Sequence, residues 1–217
     1  MPPVFRSLVV DRHARVAYAG DPDRAEEAWL ILHGHGMLAQ GILHWFRPAE
    51  RPHRLLVAPE ALSRFYTDVQ GPRTVGASWL TREDRDHDIA DTLAYLDRAV
   101  DLCIRPGLPL EVHGFSQGVG VGARWAVHTA RGIRRLVCWA GGFPDDVGGA
   151  AVTRVLGGRP VDMVVGETDA MVSPDRIAAD ATRLRQQGQP VTIHRFVGGH
   201  RIDDGVLAAF AAEPGPA

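Results

Sequence analysis

Gly114-Phe115-Ser116-Gln117-Gly118 spells G-x-S-x-G at the end of the apolar run Leu110–His113 and at the start of a helix-period segment. In that setting the motif marks a serine on a sharp strand-to-helix turn, with its hydroxyl exposed. Side chains at the two flanking glycines would collide with the neighbouring strand and helix. A serine hydroxyl is a weak nucleophile until a base takes its proton, and the base needs an orienting acid. Candidates follow in the order serine, acid, histidine. Gly166-Glu167-Thr168-Asp169 closes one apolar run and Gly198-Gly199-His200 closes another. We expect Ser116 as nucleophile, Asp169 as acid and His200 as base. Glu167, two residues from Asp169, competes for the acid role. Asp169 is favoured because it sits in the loop, clear of the strand. His194 competes for the base role but lies in mid-strand. His200 follows two glycines that let a loop carry its ring over Ser116.

Acyl transfer to serine also needs donors for a developing oxyanion, each worth ~2.7–4 kcal/mol of barrier. The backbone N–H of Gln117 opens a helix and suits that task. Leu32-His33-Gly34-His35-Gly36-Met37 is a Gly-rich loop after another apolar run. The N–H of His35 is the expected second donor, with Gly36 or Met37 as fallback. His33-x-His35 also invites a metal reading, with His44 or His53 recruited as further ligands. No H-E-x-x-H, cysteine pair or second tight histidine cluster accompanies it, so no metal is assigned. His113, directly before the elbow, reads as a packed strand-end residue.

Positioning these groups requires an alternation of strands and helices. Apolar runs of strand length occur at Ala28–Leu32, Leu55–Ala58, Leu110–His113, Leu136–Ala140, Val161–Val165 and Val191–Phe196. Continuous apolar strands belong to a parallel sheet covered on both faces. In Asp86–Cys103, residues Ile89, Leu93, Leu96, Val100 and Cys103 recur at spacings of three and four and share a helix face. Further helices are expected over Gln117–Ala130, from Ser173-Pro174 to about Gln187, and around Val206, Leu207 and Phe210. Ser7–Val10 and Arg15–Ala19, around Asp11-Arg12-His13, suggest an opening hairpin. This is an α/β fold, and its ligands belong beyond the carboxyl ends of the strands, where the polar and Gly-rich punctuation lies.

The 217 residues fit one domain, 1–217, and 45% hydrophobic content allows a sizeable core. Only the tail Ala212–Ala217 reads as loose. The formal charge of −2 gives no broad attraction to nucleic acid or to an anionic membrane. All 24 Lys+Arg residues are arginine, which excludes Schiff-base chemistry on a lysine. No run approaches the roughly 20 apolar residues that span a bilayer, and charged residues interrupt the N-terminal apolar stretches, so neither stable membrane association nor a secretory signal is expected. Cys103 and Cys138 read as buried thiols of a cytoplasmic protein.

Leu32-His33-Gly34-His35-Gly36, Gly114-Phe115-Ser116-Gln117-Gly118, Gly166-Glu167-Thr168-Asp169-Ala170-Met171-Val172 and Gly199-His200 together resemble the phospholipase/carboxylesterase family of α/β-hydrolases, which includes small bacterial carboxylesterases and acyl-protein thioesterases. The Ser-Gln pair in the elbow is typical of that family. The likeness runs from about residue 28 to residue 210. It implies a mostly parallel central sheet with helices on both faces, a minimal lid, no cofactor and a small-molecule carboxylic ester or thioester as substrate, and it leaves room for a homodimer. His35 departs from the family's usual apolar residue, which a backbone donor tolerates. Phe65, Tyr66 and Trp79 fall in the variable substrate-facing region, where they would line an acyl pocket or anchor the surface. The rival readings are a thioesterase or lysophospholipase-type hydrolase, a cofactor-free lyase or haloperoxidase, and a non-catalytic binding protein on the same fold.

Overall fold

The computed structural model describes residues 3–68 and 70–213. In chain order the elements are β1 (Val16–Ala19), β2 (Glu27–Leu32), α1 (Ala39–Trp45), a 3-10 turn (Arg47–Ala49), β3 (Arg54–Pro59), β4 (Ser63–Tyr66), β5 (Val75–Ser78) and α2 (Arg85–Cys103). There follow β6 (Leu110–Phe115), α3 (Gln117–His128), β7 (Ile133–Trp139), α4 (Gly149–Leu156), β8 (Val161–Gly166), α5 (Pro174–Gln186), β9 (Val191–Phe196) and α6 (Asp204–Ala212). Seven strands form one sheet in the order β1-β3-β2-β6-β7-β8-β9. Its pairs from β3 to β9 are parallel, and only β1 runs antiparallel, along the outer edge of β3. β4 and β5 make a separate antiparallel arm.

Alternation along the strands divides the apolar residues between two faces. Leu30, Leu32, Val112, Leu136, Cys138, Val161 and Met163 pack under α2, α3, α4 and α5. Trp29, Ile31, Phe115, Val137, Trp139 and Val164 pack under α1 and α6. Every residue of β6 and β8 is buried, as a doubly covered parallel sheet demands. Within α2 the expected face turns inward, with Leu96 and Val100 fully buried. Trp125 of α3 donates its indole N–H to Asp97 of α2 at 2.8 Å, tying those helices together. Ser173 caps α5 by accepting from the Arg176 N–H, and Pro174 begins the helix.

The chain opening differs from the sequence expectation. Ser7–Val10 is exposed and has no strand structure, whereas β1 pairs with β3 (Val16 opposite Pro59, Ala19 opposite Leu56). The edge of a buried strand offers a longer ladder, flanked by core, than a lone hairpin of exposed residues. At the other end Ala212 is helical and Glu213 pairs with Arg135, so the chain is tied down further than expected. Residues 214–217 of the expected loose tail lie outside the described residues. Both cysteines are free, Cys138 buried in β7 and Cys103 half-buried on α2. No helix among the described residues is long and apolar enough to cross a membrane.

Candidate active site

Beyond the carboxyl ends of the strands, backbone hydrogen bonding continues from loop to loop. Ser116 N–H donates to the Trp139 carbonyl at 2.8 Å, and Ala140 N–H to that of Val164 at 2.8 Å. Glu167 and Thr168 N–H donate to the Phe196 and Gly198 carbonyls at 2.9 and 3.0 Å. The loops after β6, β7, β8 and β9 are thus laced into one rim. Ser116 sits on it with φ +53° and ψ −116°, a left-handed conformation that a non-glycine residue adopts only when its surroundings impose it. Here the crowding is measurable. A Cβ on Gly118 would lie 2.2 Å from the Leu32 carbonyl oxygen, and one on Gly114 would lie 2.5 Å from the Gly118 carbonyl oxygen. The tight packing that fixes the elbow therefore requires glycine on both sides.

Asp169 and His200 meet as expected. Asp169 is 5% exposed, and its Oδ2 lies 2.8 Å from His200 Nδ1. Its Oδ1 accepts two backbone N–H groups, from Met171 at 2.8 Å and Val172 at 2.9 Å. A carboxylate bound this way only accepts, so the imidazole proton belongs on Nδ1, leaving Nε2 as a free base. The two loops can approach because residue 166 has no side chain; a Cβ there would lie 2.3 Å from the Gly198 carbonyl oxygen. Glu167 is exposed, and its side chain makes no hydrogen bond or ion pair among the described residues. The His200 ring packs on Phe115, next to the serine, with centroids 5.0 Å apart. Ser116 Oγ makes no hydrogen bond among the described residues. Catalytic contacts of this kind are often long in an empty site and tighten around substrate.

The two expected oxyanion donors differ from the two fallback donors. The Gly36 N–H is spent on the Ala77 carbonyl at 2.9 Å and that of Met37 on the Gly34 carbonyl at 3.2 Å, which removes both fallbacks. The N–H groups of His35 and Gln117 have no protein acceptor among the described residues. His33, considered only as a metal ligand from sequence, turns out to hold this loop. It is fully buried, its Nδ1 donates to the Gly34 carbonyl at 2.7 Å, and its Nε2 accepts from the Ala61 N–H at 3.0 Å. The Gly34 carbonyl and the His35 N–H belong to one trans peptide and point in opposite directions. Anchoring the carbonyl on His33 therefore aims the N–H away from it. Burial pushes the His33 pKa down, which favours the neutral ring this pair of bonds requires.

No family model matches the chain, and no curated protein matches it. Solved structures do. Esterase PE8 superposes with a TM-score of 0.68 at 19% identity, over 92% of this chain and 96% of that one. A phospholipase/carboxylesterase from Dyadobacter fermentans gives 0.66 at 18%, over 94% and 99%. Acyl-protein thioesterase 2 from Zea mays gives 0.64 at 18%, over 92% and 99%. At such identities the likeness is one of architecture. The chain has the α/β-hydrolase fold.

In this α/β-hydrolase fold the space beside Ser116 is an open cleft of about 530 Å³ whose apolar lining includes Leu80, Ile89 and Phe143. The expected aromatics do not line it. Trp79 is 3% exposed, stacks near His33 and donates its indole N–H to the His33 carbonyl at 2.8 Å. Phe65 on β4 stacks on His35 at 5.1 Å, and Tyr66 is exposed under the Arg73 guanidinium. Sequence also understated the Gln117 side chain. Its Oε1 accepts from the Trp79 N–H at 3.0 Å and its Nε2 donates to the Leu80 carbonyl at 2.8 Å, pinning the segment after β5 to the elbow.

Three of the other histidines, His113, His194 and His53, lie against partners elsewhere in the fold. His113 is fully buried against Trp29, with Nε2 3.2 Å from Glu111 and Nδ1 accepting from the Trp139 indole. His194 bonds Asp162 at 2.8 Å and packs edge-on to Phe210 of α6. His53 lies 3.8 Å from Glu26. No group of three or more histidine, cysteine or acidic residues placed to hold a metal occurs among the described residues.

Proposed function

We propose that the protein is a serine hydrolase that cleaves carboxylic esters through an acyl-enzyme. The observation that carries the reading is the Asp169–His200 bond at 2.8 Å, made by a ring that packs on Phe115, the residue before a serine held at a strained elbow. In the first step His200 Nε2 takes the Ser116 proton as Oγ bonds to the carbonyl carbon and the carbonyl electrons move onto oxygen. The N–H groups of His35 and Gln117 receive that oxyanion. The imidazolium, steadied by Asp169, then protonates the leaving alkoxide as the C–O bond breaks. Water repeats the sequence: His200 takes its proton, the hydroxide attacks the acyl carbon, and Ser116 leaves with the proton returned. Each step as written uses this chain's own side chains and backbone N–H groups, and water. The esterase and thioesterase names of the similar structures support ester cleavage as the reaction class.

A fluorophosphonate probe followed by peptide mass mapping tests the proposal. Labelling of Ser116, absent in Ser116→Ala and accompanied by hydrolysis of p-nitrophenyl acetate, is expected. A folded wild-type protein that is neither labelled nor active would overturn the proposal in favour of a binding role. Parallel assays on an oxygen ester and a thioester of the same acyl group assign the leaving-group preference.

A further inference from the structure

The cleft beside Ser116 is lined by Arg85, Asp86, Asp145 and Arg176 as well as by a charged residue two helical turns along α3 from the nucleophile. Ser116, Gly120 and Arg124 follow one another at i, i+4 and i+8 along α3, so they share one face. All three line the cleft. The Arg124 side chain folds back toward the helix N-terminus: its Nη1 donates to the Gly120 carbonyl at 2.8 Å, and a Cβ on Gly120 would lie only 3.1 Å from that nitrogen. Its Nε donates to Asp146 Oδ2 at 2.8 Å and its Nη2 donates to Asp146 Oδ1. The residue is 6% exposed, an unusual degree of burial for arginine.

Which part of the substrate meets Arg124 follows from the proton inventory. His200 must reach the leaving oxygen, so the leaving group lies on its side of Ser116. The cleft opens from Ser116 without His200 in its lining, which makes it the side for the acyl part. An alkyl chain extending along α3 would run into a guanidinium whose three nitrogens are already engaged. Displacing it would separate a buried guanidinium from its three acceptors, a cost that opposes the gain of about 0.8 kcal/mol per buried methylene. Because those nitrogens are engaged, Arg124 is also poorly suited to anchor a substrate carboxylate.

We propose that the Arg124–Asp146 pair is an acyl-length stop, and that the substrate class is esters of short acyl groups. This rests on the serine-hydrolase reading above. The test is a p-nitrophenyl ester series from acetate to decanoate on the wild type, Arg124→Leu and Asp146→Asn, with fluorophosphonate labelling of each. The wild type should lose kcat/KM as the chain lengthens. Each methylene admitted to apolar contact is worth about fourfold, so Arg124→Leu should raise the decanoate-to-acetate ratio of kcat/KM by about tenfold or more. Asp146→Asn, at a residue 57% exposed and therefore safe for folding, should shift the ratio in the same direction by less. Labelled, active variants with an unchanged ratio would overturn the length stop and leave the hydrolase reading standing. An unlabelled, inactive wild type would overturn both. Should Arg124→Leu fail to fold, the Asp146→Asn ratio decides.

Discussion

Replacing Asp169 by asparagine removes one charge and almost no volume, yet the structure dictates a large effect. Oδ1 of Asp169 accepts two backbone N–H groups, from Met171 and Val172. An asparagine must place its carbonyl oxygen there, because an amide NH2 cannot accept. Its NH2 is then turned toward His200, where Oδ2 now receives the Nδ1 proton. Two donors cannot face each other, so the imidazole moves its proton to Nε2 and Nδ1 becomes the acceptor. The Asp169–His200 bond is replaced rather than lost, but Nε2 is no longer free to take the serine proton. A wrong tautomer of this kind costs about 10⁴-fold in kcat, or roughly 5 kcal/mol of barrier.

The assay is the initial rate of p-nitrophenyl acetate hydrolysis for the wild type, Asp169→Asn and Glu167→Gln, with thermal melts of each. Asp169→Asn should fold with a melting temperature near that of the wild type, because all three hydrogen bonds have substitutes. Glu167→Gln should keep its activity, since the exposed Glu167 side chain makes no hydrogen bond or ion pair among the described residues. An Asp169→Asn enzyme retaining a tenth of the rate, or a Glu167→Gln enzyme losing most of it, would refute the assignment of the acid.

Two other perturbations separate positioning from packing. His33→Leu should lower kcat for the acetate ester by about 10²-fold with little change in KM, because a misdirected oxyanion donor weakens only the transition state; a variant that melts earlier but turns over normally would reduce His33 to a structural role. Stability should fall as pH drops below the ordinary histidine value of 6.5, where unfolding frees His33 and His113 to take protons that their folded, lowered pKa values refuse. Below 6.5 the unfolded chain binds more protons, so stability rises with pH up to that value and flattens above it. The titratable and charged groups facing these rings are Glu60 and His35 for His33, and Glu111, Arg135 and Arg54 for His113. Melts from pH 8 to about 5.5, above the carboxylate range, should show this slope; a His33→Leu variant with the wild-type slope would contradict the part assigned to His33.

Much of this was legible in one dimension because it depends on neighbours in sequence. A continuous apolar run ending in a Gly-flanked serine fixes a strand, a turn and a helix over residues 110–128. The same logic found β8 before Asp169 and β9 before His200. Elements that depend on distant partners were not legible. α1 has no side-chain cap and seven residues, and it exists because Ala39, Ile42 and Phe46 pack on the sheet. α4 opens on Gly149-Ala150-Ala151, which carries no period at all. β4 alternates weakly, being mostly exposed, and pairs only with β5. Ser7–Val10 shows the converse, since β-favouring residues there find no partner and stay exposed.

At the site the division falls between side chains and the groups that aim them. Candidates for serine, acid and histidine followed from residue type and order. What turns each of them did not, because it is set by backbone dipoles brought in from other loops. The Oδ1 of Asp169 is oriented by two peptides, and the His35 N–H by a carbonyl clamped on His33, whose own acceptor site is filled by the Ala61 N–H. The cleft wall follows the same rule. Arg124 reads as one charge on a helix and Asp146 as one charge in a loop, 22 residues apart, and each alone suggests a solvated surface. Over Gly120 the buried Arg124 and the exposed Asp146 form an ion pair in the lining of the cleft that Ser116 also lines, a pairing that residue spacing does not encode.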